Sequence, residues 1–262
     1  MKTLEGKHAV IYGAAGSVGS AVAAAFATEG ARLSLAGRTE GTLAALGESL
    51  RAAGAEVGWD VVDTLDADAV EAHASAIEEA RGPLDVSFNL TGTHVLVGTA
   101  YDDIAPGEFA TAVATSAQSV FATSRAAAMR MADRGRGVIL MFTATPARQA
   151  ANLAGAFGYV CAGTEGLTRT LAAELGPRGV RVLCIRSAGS PDSEGLRLAF
   201  EAQAQTLGVT PESILEGLES EIPLRHMPRL REIADVAVFA ASDASAAMTA
   251  TVLNVTGGST AD

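Results

Sequence analysis

The sequence predicts an α/β fold, a doubly wound parallel sheet with helices on both faces. Three features predict it. Short apolar runs alternate with helix-period segments from end to end. The runs are apolar at nearly every position, as strands covered on both faces must be. A glycine-rich turn links the first run to the first helical segment.

Each element has its own signal. His8-Ala9-Val10-Ile11-Tyr12 is the first strand, stopped by Gly13. Residues 17–29 carry apolar side chains at Val18, Val22, Ala25 and Phe26, a helical spacing closed by Gly30. Residues 32–36 are the second strand and 39–53 the second helix, which Gly54 ends. The third strand is 56–61; the third helix is 65–81, stopped by Gly82-Pro83. Residues 84–90 make the fourth strand and 106–133 a long helix. The fifth strand is 137–142, and a helix over 155–175 ends before Gly176-Pro177. Residues 180–185 are the sixth strand, 193–221 a polar helical insertion, 233–242 the last helix and 252–255 the final strand. No repeat or linker interrupts the series, so one domain over 1–262 is expected. The segment 187–221 has the weakest apolar pattern and reads either as a lid or as an ordinary surface excursion.

Composition narrows the function. The 262 residues carry a formal net charge of −11, which repels phosphate backbones and anionic lipid and argues against nucleic-acid and membrane partners. No apolar run approaches the ~18–20 residues of a membrane span, and no apolar signal core precedes the first strand. A cytoplasmic protein is the expectation. Two cysteines, Cys161 and Cys184, exclude a disulfide framework and a Cys-rich zinc site. Lysine occurs only as Lys2 and Lys7, and tyrosine only as Tyr12, Tyr101 and Tyr159.

Between the first strand and helix lies Gly13-Ala14-Ala15-Gly16-Ser17-Val18-Gly19. Glycines there let the backbone turn and approach a pyrophosphate, and the helix N-terminus supplies unpaired N–H groups and a positive dipole end. At the end of the second strand stands Ala36-Gly37-Arg38-Thr39, without an acid. An acid there would accept from a ribose 2′-hydroxyl, whereas Arg38 can fork onto a 2′-phosphate. NADP(H) is therefore favoured over NAD(H); the competing reading of Arg38 is a solvated strand-end arginine.

With these residues in place, the sequence resembles the short-chain dehydrogenase/reductase family over nearly the whole chain. The resemblance runs through Gly6-Lys7, the glycine loop, Asp60-Val61-Val62-Asp63, and Asp85 to Gly92, where the family writes D…NNAG. It continues through Glu165-Gly166-Leu167-Thr168, Glu232-Ile233-Ala234-Asp235-Val236 and Gly257-Gly258. One departure is Ser17 at the family's middle glycine. The resemblance implies a Rossmann-type sheet of order 3-2-1-4-5-6-7 and a homotetramer or dimer packed through the long helix and the 155–175 helix. It implies a cofactor site of Gly13, Gly16, Ser17, Val18, Gly19, Arg38, Asp60, Val61, Asn89 and Gly92. Asp60 would meet the adenine amino group, or alternatively cap a helix; Asn89 would steady the sheet.

The family's reaction uses a tyrosine as proton donor, a lysine four residues later, a serine that fixes the substrate oxygen and an asparagine in a proton relay. The Glu165-Gly166-Leu167-Thr168 block sets the register. It places Phe157 at the tyrosine, Cys161 at the lysine, Ala144 at the serine and Ser116 at the asparagine. Shifting the register to Tyr159 brings Gly163 and Pro146 into the partner positions, and neither helps. Phenylalanine has no ionisable proton and alanine no hydroxyl, so the family's standard mechanism is not expected. Candidate substitutes are His94 in the loop after the fourth strand, Thr143 or Thr145, and Cys161 if its helix start lowers the thiol pKa; the competing readings are a surface histidine at 94 and a small buried packing residue at 161. Tyr159, about 200° round the helix from Phe157, should point away. Arg186-Ser187 stands at the family's Pro-Gly pair, and Asp192 near a phosphate-touching threonine, where an acid would repel phosphate. His226 reads as structural. Three functions are consistent with these residues: a divergent NADP(H)-dependent oxidoreductase, a catalytically silent nucleotide sensor or partner subunit, and a cofactor-independent enzyme on the same scaffold. The apolar position at Phe157 points to an apolar small-molecule substrate or ligand.

Overall fold

The structure, a computed structural model, describes residues 2–92 and 95–262, the side chains of Ala202 and Thr206 apart. The candidate His94 therefore lies outside the described residues. The strands are β1 (His8–Tyr12), β2 (Arg32–Gly37), β3 (Val57–Val61), β4 (Val86–Asn89), β5 (Gly137–Ala144), β6 (Val180–Ser187) and β7 (Thr251–Val255). The helices are α1 (Ser17–Thr28), α2 (Glu40–Ala52), α3 (Ala67–Arg81), α4 (Pro106–Arg134), α5 (Phe157–Leu175), α6 (Glu194–Leu207), α7 (Pro211–Glu221) and α8 (Leu230–Ala241).

The sheet order is β3-β2-β1-β4-β5-β6-β7, with each neighbouring pair parallel. This is the order that the resemblance implies, and it lies within the few topologies that right-handed crossovers allow. Side-chain alternation along β1 feeds two cores. Ala9 and Ile11 join Val22, Phe26, Leu43 and Ile233, so α1, α2 and α8 cover one face. Val10 and Tyr12 join Val70, Ile77, Met131 and Ile139, so α3, α4 and α5 cover the other. Full burial of side chains such as Phe26 and Met131 stabilises the fold by about 1.5–3 kcal/mol each. Ion pairs lock α3 to α4: Arg130 meets Glu71 at 2.8 Å, and Arg134 meets Glu78 at 2.8 Å.

Two boundaries differ instructively from the sequence expectation. The polar insertion is two helices rather than one, because Gly208 in the left-handed region ends α6 and Pro211, behind a Thr210 cap, starts α7. β6 runs on to Ser187, carrying the charged Arg186 inside the sheet. The apolar pattern stops that strand at Ile185, because the burial of Arg186 depends on a partner distant in sequence. Among the described residues, no helix is long and apolar enough to cross a membrane.

Candidate functional site

At the carboxyl edge of the sheet, β1 feeds β2 on one side while the chain later returns to β4 on the other. The crevice of an open α/β sheet opens at this switch point. Backbone hydrogen bonds fix its floor: Gly13 N–H donates to Ala36 O at 2.8 Å, and Leu90 N–H to Tyr12 O at 2.8 Å. Gly13 has φ +76°, and a Cβ there would lie 2.5 Å from Leu90 O; a Cβ on Gly19 would strike the Gly13 carbonyl. These two positions tolerate no side chain, and the resulting cradle stays shallow enough for a ligand's phosphates. Gly16 caps α1 without a side-chain acceptor, so the first-turn N–H groups of α1 are left to a ligand.

Two adjoining cavities share Gly16, Leu90, Thr91 and Gly92. The outer one, about 480 Å³, is walled by Gly37, Arg38, Thr39, Thr42 and the stretch Val62, Asp63, Thr64, Leu65. Arg38 is exposed and, among the described residues, makes no ion pair. The inner one, about 450 Å³, runs from Ser17, Val18 and Gly19 past Asn89 to Ser116, Ala144, Phe157 and Cys161. The structure thus brings the four register positions into a single cavity. Ser193 and Gly195, at the start of α6, close it from above, and Glu194 N–H reaches Ser17 Oγ at 3.4 Å.

Several expected residues are placed elsewhere. Asp60 and Val61 do not line the cleft. Asp60 pairs with Ala36 inside the sheet and turns its carboxylate to His73 Nε2, 3.5 Å away, while Val61 faces solvent. The wall is built by the next residues, because a ligand at the sheet edge meets the chain just past the strand. The sequence carries that signal: Asp63, not Asp60, stands beyond the strand end. Asp192 does not face the phosphate path either. Its carboxylate accepts from Leu230 N–H at 3.1 Å and caps α8. His226 holds Glu232 at 2.6 Å, outside both cavities.

The side-chain protons of the inner cavity are largely committed. Asn89 Nδ2 donates to Ser119 O at 3.1 Å and to Thr123 Oγ1 at 2.8 Å, bracing β4 on α4, and its Oδ1 accepts from the Thr91 hydroxyl at 2.6 Å. Thr143 donates to Glu165 Oε1 at 3.2 Å, and Thr164 to Val160 O at 2.9 Å. Thr145 lies outside the lining. Burial pushes the Cys161 thiol up to about 11, which fits the buried packing reading rather than a helix-start nucleophile; desolvation outweighs the helix end because the group is 2% exposed. Tyr159 is exposed and packs edge-on against Phe109, ring centroids 6.0 Å apart. Both lysines sit at the opposite, amino-terminal edge of the sheet, where Lys7 pairs with Asp243 at 2.8 Å.

Sequence reasoning misses a buried pair behind this wall. Arg186 Nε and Nη2 donate to the two oxygens of Glu165, and Nη1 meets Asp262 Oδ1 at 2.5 Å. Arg186 does not reach the cleft; its guanidinium is turned to α5.

A glycine-walled crevice at the switch point, with two helix N-termini beside it and an outer chamber bearing an arginine, has the features of a Rossmann-type nucleotide-binding fold. The glycine cradle and the α1 N–H groups are suited to a pyrophosphate, with a chamber on either side. The chain belongs to the short-chain dehydrogenase/reductase family of oxidoreductases: the family model described as enoyl-(acyl carrier protein) reductase matches residues 13–260. It is 31% identical over 258 residues to D-threitol dehydrogenase of Mycolicibacterium smegmatis, covering 98% of this chain and 94% of that protein. Among solved structures it resembles a single-substitution variant of actinorhodin polyketide ketoreductase with NADPH, at 26% identity and TM-score 0.87 over 99% of both chains. An NAD+-bound xylitol dehydrogenase shares the fold at TM-score 0.89 and 24% identity, over 98% of this chain and 100% of that chain.

Proposed function

We propose that this chain binds NADP(H) in the crevice and does not run the family's acid-assisted carbonyl chemistry, acting as a nucleotide sensor or as the silent partner of an active homologue. The observation that carries the reading is the convergence of Phe157, Ala144, Cys161 and Ser116 in the inner cavity. Phe157 has no proton to give and Ala144 no hydroxyl to fix a substrate oxygen. The Cys161 thiol is held neutral by burial and carries no positive charge. Loss of a general acid alone lowers a rate by about 10²–10⁴.

The chain's own residues would divide the nucleotide among them. Gly13, Gly16, Ser17, Val18 and Gly19 receive the pyrophosphate, Arg38 with Thr39 the 2′-phosphate, Asp63 and its neighbours the adenine, and the inner cavity the ring. When bound, the nucleotide supplies a hydride donor or acceptor. The 187–221 segment serves as a lid, supported by the contact between the α6 start and Ser17. Exposed Phe121 and Met129 on α4 and Tyr159 on α5 support packing as a homo-oligomer through those helices.

A second reading, a divergent oxidoreductase on an apolar carbonyl or alcohol, is favoured by the dehydrogenase and ketoreductase relatives and by the apolar walls of Val95, Val120 and Phe157. Titration separates the two. NADPH is expected to raise the melting temperature and change its fluorescence on binding, with no consumption above buffer across a panel of apolar ketones. Absence of any response to NADPH overturns both readings. Brisk ketone turnover overturns the first, and its survival in Tyr159→Phe would show that the proton comes from elsewhere.

A further inference from the structure

We infer that the inner cavity reads the oxidation state of the nucleotide, taking the neutral dihydropyridine ring of NADPH in preference to the pyridinium cation of NADP+. The inference rests on the nucleotide reading above. The ring's surroundings decide it. Val95, Val120, Met141, Phe142, Phe157 and Val160 supply apolar walls. A cation moved from water against such walls loses hydration that the aliphatic side chains do not replace and that cation–π contact with Phe142 or Phe157 repays only in part, whereas the neutral ring loses little.

Among the described residues that line the cavity there is no carboxylate, so only neutral oxygens face the ring. The Thr143 and Thr164 hydroxyls give their protons to Glu165 and to the Val160 carbonyl and carry no net charge. The buried carboxylate behind the wall, Glu165, is matched by Arg186 in a two-bond pair and offers the cavity no unpaired negative charge. The Glu194 side chain is exposed, where water screens it. The starts of α1 and α6 both line this cavity, at Ser17, Val18 and Gly19 and at Ser193 and Gly195. Each presents the positive end of a helix dipole, which suits phosphate and opposes a second positive charge nearby. The net charge of −11 acts the other way, since NADPH is the more anionic form. That long-range effect is screened by salt, and the local one is not.

Calorimetric titration of the full chain tests this with NADPH, NADP+ and 2′,5′-ADP, which has the phosphorylated adenosine but no ring. NADPH is expected to bind about tenfold or more tighter than NADP+, with the ratio growing at higher salt. Phe157→Glu, at a half-buried position, should collapse the ratio by placing a carboxylate beside the ring. Phe157→Leu should preserve it, and 2′,5′-ADP should bind all three proteins alike. Equal affinities, tighter NADP+ or a ratio unmoved in a folded Phe157→Glu protein overturn the inference while 2′,5′-ADP still binds. If Phe157→Glu does not fold, the wild-type ratio decides alone. If neither 2′,5′-ADP nor NADPH binds, the nucleotide reading itself falls, and the inference with it.

Discussion

Arg186 and Glu165 meet through two parallel hydrogen bonds, Nε to Oε1 at 2.7 Å and Nη2 to Oε2 at 2.9 Å, with the two residues only 1% and 4% exposed. The pair ties β6 to α5 directly behind Thr143. Breaking it by Arg186→Met leaves a carboxylate buried and unpaired, which costs about 3–5 kcal/mol. Replacing both, Arg186→Met with Glu165→Leu, is expected to recover most of that loss. Urea unfolding of the single and double variants measures the difference, and a single variant no worse than the double would refute it.

The positions Phe157, Ala144 and Cys161 surround one cavity, so on the proposed reading a phenol, a hydroxyl and an ammonium can be supplied there by local changes. Phe157→Tyr with Ala144→Ser and Cys161→Lys is expected to create NADPH-dependent ketone reduction about 10²-fold or more above the starting protein. NADPH absorbance against the ketone panel checks this. Continued inactivity in a folded, NADPH-binding triple variant would mean that more than these groups is missing.

The fold is legible in the sequence because the apolar alternation and the glycine turn act locally, and crossover handedness then leaves few sheet orders. That Phe157, Cys161 and Ala144 share one cavity is legible because the start of α5 and the end of β5 both lie at the carboxyl edge of the sheet. Features that depend on a strand's end or on a distant partner are not. Asp60 and Asp63 flank the same two valines, and only the end of β3 at Val61 tells which of them meets the cleft. Asp192 has the place of a phosphate neighbour in the chain, but it caps a helix 38 residues on. Arg186 resembles a loop residue because its partner lies 21 residues away on another element. The position of Cys161 near a helix start leaves both a lowered thiol and a small buried packing residue open, and burial decides for the second.

Arg38 and Thr39 wall the outer chamber with no acid at the strand end. Arg38→Ala is expected to weaken NADPH binding by about tenfold, the scale of one charge-assisted contact, and to leave NADH unchanged. Parallel titration with the two nucleotides measures it. An equal loss for both would make Arg38 a general contributor rather than a reader of the 2′-phosphate.

Cys161 is buried with its thiol raised to about 11, and Cys184 with its thiol raised to about 12. Neither holds thiolate at neutral pH, so iodoacetamide labelling of the native protein is expected to be far slower than that of the urea-unfolded chain. Mass spectrometry over a time course reads both sites. Fast native labelling of Cys161 at neutral pH would place a reactive nucleophile in the cavity and reopen covalent chemistry there.

His8 is fully buried between Gly82 O, 2.7 Å from Nδ1, and Ser34 Oγ, 2.9 Å from Nε2, and His73 lies buried against the Tyr12 ring. Desolvation holds both pKa values below the ordinary 6.5, opposed at His8 by the hydrogen bond to the Gly82 carbonyl and reinforced there by Arg32 and Arg81, and opposed at His73 by Asp60. The unfolded chain therefore takes up protons that the folded one refuses. Stability is at its full value above pH 6.5 and falls as the pH drops from there toward the folded values, by up to about 1.4 kcal/mol per pH unit for each histidine. The melting temperature is expected to decline from pH 7 to pH 5, before the carboxylates titrate. His8→Asn, which keeps a donor for the Gly82 carbonyl, should flatten the decline while lowering the plateau. A profile unchanged by that substitution would assign the acid sensitivity to His73 or to groups outside this layer.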